Sequence, residues 1–201
     1  WDDILSAAMA GDLDVIDAML RGEVDRYAEL VNRYPAVAWK LAFGFLGNVE
    51  DAKEVSQIGF LKAYQRLGQF RRQAKFSTWL YRIIVNECKD FFKRKARQPA
   101  TISMAPDPED DDPIRFEVAD PRASPSDAAV NRELAKRLQS AIEALSKNQR
   151  TAFVLHHLQG FSIEEVSGVM GCRSGTVKSH VFRACEQLRA RLGPWLEEQR
   201  S

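Results

Sequence analysis

The sequence predicts an all-α fold of two small helical domains joined by a flexible linker. Three observations lead to this prediction. Apolar residues recur at helical spacing along most of the 201 residues, and no run shows the strict alternation of a strand. Prolines and acids crowd residues 99–126 and interrupt that spacing. We therefore predict an N-terminal helical extension over 1–21, a first domain over 22–97, a linker over 98–130 and a second domain over 131–201.

Charge is distributed unevenly although the formal net charge is only +1. Residues 71–97 are strongly basic, whereas acids dominate residues 107–127. The three cysteines stand apart, which is typical of a chain in a reducing cytoplasm, and no ligand spacing indicates a metal site or a cofactor. No apolar run approaches the length of a membrane span, so we expect a cytoplasmic protein without membrane insertion.

The N-terminal part of the chain has the periodicity of several short helices. Residues 1–20 predict helix interrupted at Gly11-Asp12, with a role in packing against the next domain. Residues 23–46 continue the pattern, and Pro35 should break it.

A further helix is predicted over residues 51–67, with acids in its first turn and Gly68 beyond its end. Helical spacing predicts that Phe60 lies off the apolar stripe of this helix and is exposed. The residues predicted to be buried are Val55, Ile58, Leu61, Tyr64 and Leu67.

A basic helix with interleaved aromatic residues is predicted over residues 77–95. Aromatic rings can stack on unpaired bases while Lys and Arg neutralise phosphates, so this mixture suits single-stranded or melting DNA. Tyr81 and Phe91 are better explained as core residues. For Trp79, at the start of the helix, base binding and core packing are both open.

The C-terminal domain contains a helix-turn-helix pattern. Helix returns from Ala128, a second helix spans about 149–158, and residues 161–192 follow. Ser162 and Glu165 have capping-box spacing, and Gly171 suits a sharp helix end. The next helix begins near Ser174 and has an apolar stripe of Val177, Val181, Ala184, Leu188 and Leu192. Its basic, hydroxyl-bearing outer face predicts DNA binding, although a helical hairpin with a solvated face would share this pattern.

Three stretches, in order and correctly separated, closely resemble the bacterial extracytoplasmic-function (ECF) group of RNA polymerase sigma factors. AKEVSQIGFLKAY at 52–64 resembles the polymerase-docking helix of the family. FSTWLYRIIVNECKDFFKRKAR at 76–97 resembles the segment that melts and reads the minus-ten element. The third stretch, 145–192, resembles the minus-thirty-five domain, with GTVKS at its recognition helix.

The resemblance implies a site for each of these stretches. The docking helix would contact core RNA polymerase through Asp51, Glu54, Gln57, Phe60, Leu61 and Lys62. A flipped base and the backbone of the minus-ten strand would be held by Phe70, Arg71, Arg72, Lys75, Trp79, Asn86, Lys93 and Arg94. The major groove of the minus-thirty-five element would be contacted by Arg173, Ser174, Thr176, Lys178, Ser179, Phe182 and Arg183.

The resemblance also implies partners and a function. The chain would direct core RNA polymerase to specific promoters in response to a signal, under the control of an anti-sigma factor, with the acidic linker threading through polymerase. No nucleophile–base pair, phosphate loop or metal cluster is present in the sequence, so we expect no enzymatic activity. Two alternatives stay open: a stand-alone helix-turn-helix regulator, and a polymerase-binding adaptor that does not open promoters. Lys53 and Ile58, where the family usually has acids, favour the adaptor.

Overall fold

The computed structural model describes residues 2–97 and 125–198, with side chains for 11–97 and 133–197. Within these ranges all regular structure is helical, which confirms the all-α prediction. The acidic part of the predicted linker, residues 98–124, lies outside the described residues. The α-helices are α1 (Asp2–Leu20), α2 (Tyr27–Arg33), α3 (Pro35–Leu46), α4 (Val49–Gln65), α5 (Phe76–Arg97), α6 (Pro125–Glu143), α7 (Lys147–Phe153), α8 (Ile163–Met170) and α9 (Ser174–Glu198).

The first body of the fold is built by α3, α4 and α5, with α1 and α2 against it. Large apolar side chains at its centre are buried between the helices, and such burial is the dominant favourable contribution to folding. Fully or almost fully buried members of this core are Ile16, Leu30, Leu41, Phe45, Val55, Leu80 and Ile84.

Helix α1 continues through Gly11 and Asp12, so the predicted break at this pair was wrong. A glycine within a helix costs only about 1 kcal/mol relative to alanine, which packing of the neighbouring residues can offset. Asp12 is buried and accepts hydrogen bonds from Nη1 of Arg33, at 2.7 Å, and from the hydroxyl of Tyr34. Its carboxylate therefore anchors α1 to α2 instead of ending the helix. Val15 and Ile16 are buried, which confirms that this segment packs on the domain that follows.

Helix α4 is oriented differently from the prediction. Leu61 and Tyr64 are exposed by 56% and 41%, so the burial predicted for them was wrong. Phe60, which was predicted to be exposed, is partly buried. The reason is that α4 packs through its small side chains, which are Ala52, Val55, Ser56, Gly59 and Ala63. A methyl group built on Gly59 would lie 2.7 Å from Cγ1 of Ile84. Close approach to α5 therefore requires glycine, and Leu61 and Tyr64 face outwards.

Other boundaries follow local rules. Helix α2 ends at Arg33 and α3 begins at Pro35, which is the helix break predicted from the fixed φ and missing N–H of proline. Gly47 ends α3 in the left-handed conformation, with φ of 67°. Helix α6 begins at Pro125, earlier than the predicted Ala128.

The second body comprises α6 to α9. The predicted single helix over 149–158 is α7 followed by a π-helical turn, Val154–Leu158. Buried residues of this body include Ile142, Leu155, Val166, Val177 and Ala184. The two bodies also touch one another, chiefly where α8 lies on α5.

Candidate nucleic-acid and polymerase interfaces

The turn between α8 and α9 is fixed by local hydrogen bonds. Ser162 and Glu165 form the predicted capping box: the Ser162 N–H donates to Glu165 Oε2 at 3.0 Å, and the Glu165 N–H donates to Ser162 Oγ at 3.2 Å. Gly171 ends α8 with φ of 66°, a conformation that strongly favours glycine. Ser167 Oγ then donates to the Cys172 carbonyl and closes the turn. The orientation of α9 relative to α8 is consequently well defined.

Helix α9 has one buried side and one free side. Val177 and Ala184 are fully buried and Leu188 nearly so, which confirms the centre of the predicted apolar stripe. Phe182 is the large apolar residue of the opposite side and is 62% exposed. Ser174 is half-buried, and Ser179 Oγ donates to the Gly175 carbonyl at 3.0 Å. The remaining predicted minus-thirty-five residues are all exposed: Arg173, Thr176, Lys178, Ser179 and Arg183.

These side chains form a continuous surface of guanidinium, ammonium and hydroxyl groups around one aromatic ring. Guanidinium and ammonium groups bind guanine edges and phosphates, and hydroxyls bind phosphates. An exposed ring can contact a thymine methyl group. The arrangement is therefore chemically suited to a DNA major groove.

An aromatic cluster supports the start of α5. The ring centroids of Phe70 and Phe76 are 5.9 Å apart, and Trp79 lies 5.3 Å from Phe70 and 5.8 Å from Phe76. Phe70 and Phe76 are buried, and Trp79 is half-buried. Trp79 thus has one face in the cluster and part of its surface open to solvent. Both roles that the sequence left open for Trp79 are compatible with this position.

The other predicted minus-ten residues lie in the loop before α5 and along its exposed surface. Lys75 is half-buried, whereas the exposed ones are Arg71, Arg72, Asn86, Lys93 and Arg94. Lys93 Nζ lies 2.6 Å from Asp90 Oδ1, and this hydrogen bond lowers the pKa of the Asp90 carboxyl group. The structure therefore brings a basic loop and a basic helix surface to the two sides of Trp79.

Arg72 has φ of 58°, the only positive value at a non-glycine residue among the described ranges. Its guanidinium pairs with the carboxylate of Asp17 on α1, with 3.3 Å between Nη1 and Oδ2. Asp17 was not predicted from the sequence, because no local pattern links residues so far apart in the chain. Helix α1 and this loop enclose a cavity of about 330 Å³, lined by Asp12, Leu13 and residues 72–76.

The predicted docking residues of α4 divide into an exposed and an internal group. Glu54, Gln57 and Leu61 are exposed, and Asp51 is partly buried, which raises the pKa of its carboxyl group. Phe60 is half-buried, and its carbonyl accepts a hydrogen bond from the Tyr27 hydroxyl at 2.5 Å. Lys62 Nζ lies 2.5 Å from Oε1 of the buried Glu87.

Leu61 and Tyr64 give α4 an exposed apolar patch beside these carboxylates. Tyr64 was missed by the site prediction because the sequence placed it in the core. Its ring contacts Tyr27 with a centroid distance of 5.1 Å, which holds it in place on the surface. Apolar side chains of this size beside polar ones are typical of protein-binding surfaces.

Two other kinds of site receive no support from the described part of the chain. No group of three or more His, Cys, Asp or Glu side chains there is arranged to hold a metal ion. Nor does any described helix combine the length and apolarity needed to cross a membrane.

Comparisons with known proteins identify both bodies. The Sigma-70 region 2 family matches residues 30–98, and the Sigma-70 region 4 family matches residues 135–188. The chain is 32% identical over 190 residues to the RNA polymerase sigma-H factor of Pseudomonas aeruginosa, covering 93% of this chain and 96% of that protein. It is 32% identical over 177 residues to the ECF RNA polymerase sigma factor SigW of Bacillus subtilis, covering 88% and 94%.

Solved structures share the fold. CnrH, in complex with the cytosolic domain of CnrY, superposes with a TM-score of 0.62 at 21% identity, covering 90% of this chain and 96% of that one. The sigma factor RpoE from Bartonella quintana, in complex with the anti-sigma factor NepR, gives 0.58 at 20% identity, covering 83% and 96%. With two matching sigma regions in order and relatives aligned over nearly its whole length, the chain belongs to the ECF group of RNA polymerase sigma factors.

Proposed function

We propose that this chain directs core RNA polymerase to a specific set of promoters and starts transcription there. Helix α9 reads the minus-thirty-five element, the loop before α5 and the exposed surface of α5 capture the melted minus-ten strand, and α4 docks on polymerase. The observation that carries this proposal is the free side of α9, where Phe182 projects among basic and hydroxyl side chains that have no role in the core.

The proposed minus-ten site is supported by its shape and charge. The exposed guanidinium groups of the loop and the half-exposed Trp79 offer an unpaired nucleotide phosphate neutralisation and a stacking surface. We assign the capture of a flipped base to Trp79, Asn86 and the loop residues. We assign the contacts with the DNA backbone to Arg71, Arg72, Lys75, Lys93 and Arg94.

The proposed docking site is supported by the apolar patch on α4. Leu61 and Tyr64 would supply the apolar centre, and Asp51, Glu54 and Gln57 the polar rim. Lys62 would act through its pair with Glu87, holding α4 to α5.

The domain boundaries and the partners complete the proposal. Residues 22–97 form the minus-ten and docking domain, residues 131–201 form the minus-thirty-five domain, and 1–21 and 98–130 are the extension and linker. The chain performs no covalent chemistry and acts in the cytoplasm, where core polymerase is found. An anti-sigma factor controls it, a proposal supported by the fold shared with the sigma factor RpoE, whose structure was solved with the anti-sigma factor NepR.

Reconstituted transcription tests the proposal. Purified chain and core polymerase are incubated with a genomic promoter library, and the start sites of the transcripts are sequenced. We expect new start sites that depend on the chain. Binding to core polymerase without transcripts would favour the adaptor, and tight binding to duplex promoter DNA without polymerase would favour a stand-alone regulator.

A further inference from the structure

The loop that precedes α5 is held at its centre by α1. Phe70 and Phe76, which flank residues 71–75, are buried, whereas residues 71–74 are exposed. We call residues 71–75 the 71–75 loop. Among the described residues, Asp17 of α1 is the one partner with which a side chain of this loop forms hydrogen bonds, through Arg72. The 71–75 loop is therefore fixed by its two buried ends and by this single contact between them.

The contact between Arg72 and Asp17 is bidentate. Nη1 of Arg72 donates to Oδ2 of Asp17 at 3.3 Å, and Nη2 donates to Oδ1. Two parallel hydrogen bonds of this kind restrict the orientation of a guanidinium group as well as its position. Arg72 also has φ of 58°, a conformation that a residue other than glycine keeps only where its surroundings enforce it. The pair with Asp17 thus supports an unusual backbone conformation at the centre of the loop.

Helix α1 is a firm support for Asp17, because neighbouring residues attach it to the first body. Ile16 is buried in the core. The buried carboxylate of Asp12 accepts hydrogen bonds from Nη1 of Arg33, at 2.7 Å, and from the hydroxyl of Tyr34. A carboxylate on so well attached a helix can hold a mobile partner in place, although Asp17 itself is partly exposed.

The same helix supports the aromatic cluster beneath Trp79. The ring of Tyr34, whose hydroxyl binds Asp12, has its centroid 5.9 Å from that of Phe76. Phe76 in turn lies 5.8 Å from Trp79. Helix α1 therefore supports both parts of the proposed minus-ten site: the basic loop through Asp17, and the aromatic cluster through Asp12.

Packing alone does not fix the 71–75 loop on α1. A cavity of about 330 Å³ lies between them and is lined by Asp12, Leu13 and residues 72–76. Protein interiors contain few voids larger than a water molecule, so a cavity of this size leaves the loop room for other conformations. Leu13 lies one helical turn before Asp17 and on the same side of α1. The ion pair therefore holds the loop at the edge of a space that side chains do not fill.

We propose that Asp17 is a positioning residue for promoter recognition: by holding Arg72 it fixes the 71–75 loop, and thereby the base preference at the minus-ten element. This inference rests on the proposed function of the loop and Trp79. The bidentate pair uses two of the five guanidinium N–H groups, so three remain to bind a DNA phosphate. Arg72 can therefore be oriented by Asp17 and contact the DNA backbone at the same time.

Limited proteolysis tests whether Asp17 positions the loop. Asp17→Asn removes the charge and keeps the size of the side chain. Asp14→Asn is the matched control, because it removes the same charge from α1 at a residue that lies 3.4 Å from Arg26 and not on the loop. Trypsin cleaves after Arg and Lys where a segment opens locally, and mass spectrometry identifies the cut sites. We expect roughly threefold faster cleavage within the 71–75 loop in Asp17→Asn than in the wild type or the control, as befits a partly exposed ion pair. Equal rates in all three would overturn the proposal.

Transcription from a promoter library randomised in the minus-ten element tests the effect on base preference. With core polymerase, the wild type and Asp14→Asn should select the same sequences. Asp17→Asn should discriminate among bases roughly threefold less strongly, with unchanged binding to core polymerase. A preference unchanged by Asp17→Asn would overturn the proposal. An equal decrease in transcripts from every sequence would assign Asp17 to folding alone and would overturn it as well.

Reversing the ion pair provides the rescue. Asp17→Arg combined with Arg72→Asp restores opposite charges, and aspartate tolerates the left-handed conformation better than most residues. The double variant should regain the base preference and the resistance to trypsin that each single change loses. Its affinity for promoter DNA should stay reduced, since the loop then lacks the Arg72 cation. A double variant as unselective as the single ones would refute the positioning role.

Failure of the proposed function gives a different result. In that case the wild-type chain yields no start sites with core polymerase, whatever the minus-ten sequence. The trypsin comparison of Asp17→Asn with Asp14→Asn needs neither polymerase nor DNA, so it still decides whether Asp17 positions the 71–75 loop.

Discussion

Lys62 on α4 and Glu87 on α5 form an ion pair that links the proposed docking helix to the proposed minus-ten helix. The distance from Nζ to Oε1 is 2.5 Å, and the Glu87 side chain is only 5% exposed. A carboxylate at this depth needs a partner, because burying an unpaired charge costs several kcal/mol.

Replacing Lys62 with Met should therefore destabilise the fold. We expect a loss of about 2 kcal/mol, below the usual range for a fully buried pair because Lys62 is itself 31% exposed. Urea denaturation followed by circular dichroism measures the change. Lys53→Met is the control, since its pair with Glu50 is exposed on both sides and should contribute less than about 0.5 kcal/mol. An equal decrease in the free energy of unfolding for the two variants would contradict the view that the buried Glu87 carboxylate depends on Lys62.

Substitution by glycine should reduce the stability of the fold less at Arg72 than at Arg71. Its left-handed conformation costs a non-glycine residue roughly 1–2 kcal/mol, and Arg72→Gly removes that cost. The same change at Arg71, which has no positive φ, only adds freedom to the unfolded chain. We expect Arg72→Gly to be more stable than Arg71→Gly by roughly 1 kcal/mol in urea denaturation. The opposite order would mean that the Asp17 pair outweighs the strain.

Lys178 and Arg183 should govern recognition of the minus-thirty-five element. Replacing both with Ala removes two cations from the free side of α9. Because each lost contact weakens DNA binding by about 1–3 kcal/mol, we expect polymerase holoenzyme to bind promoter DNA roughly 100-fold more weakly. Core binding, measured by pull-down, should be unchanged. Arg189→Ala with Arg191→Ala removes the same charge from exposed positions further along α9 and should have a much smaller effect. Loss of binding to core polymerase would refute the assignment of promoter recognition to α9 and of polymerase docking to α4.

Trp79 should act in promoter opening. Because its ring is half-exposed above the Phe70–Phe76 pair, Trp79→Ala removes a stacking surface for an unpaired base, worth about 1–3 kcal/mol. Run-off transcription should fall far more on duplex promoters than on pre-melted ones, and Trp79→Phe should recover part of the loss. An equal decrease on both templates would assign Trp79 to the core alone.

Cys88 should make the fold sensitive to alkali. Its thiol is fully buried on α5, and burial raises its pKa from 9.0 to about 12. Above pH 9 the unfolded chain releases this proton while the folded chain retains it, so stability falls as the pH rises from 9 towards 12. Burial raises the pKa of Tyr27 and Tyr81 to about 12 as well, which adds to the fall above pH 10.

Urea midpoints measured from pH 7 to pH 11 test this expectation. The decline should begin near pH 9 in the wild type and at a higher pH in Cys88→Ala. The reactivity of the thiols gives a second measurement: iodoacetamide at pH 8 should modify Cys172 and Cys185, which are partly exposed, and spare Cys88. Rapid modification of Cys88 in the native chain would contradict its burial.

Local rules written in the sequence determined most of the secondary structure and the nature of the α9 surface. The capping box of Ser162 and Glu165, the helix end at Gly171 and the start of α3 at Pro35 each depend on a few neighbouring residues. Helical periodicity alone, through the apolar stripe centred on Val177 and Ala184, predicted which side of α9 is exposed. Helical periodicity wrongly predicted that Leu61 and Tyr64 are buried, because it does not reveal that α4 packs through its small residues.

Only the tertiary structure decided the relations between distant segments. The pair of Asp17 and Arg72, the ion pair of Lys62 and Glu87, and the stacking of Tyr81 on Phe161 join residues that no local pattern connects. Such contacts depend on how whole helices approach one another, which is set by the packing of many side chains at once. The sequence therefore determined which surfaces this sigma factor can present, and the packing of its helices decided which of them are covered.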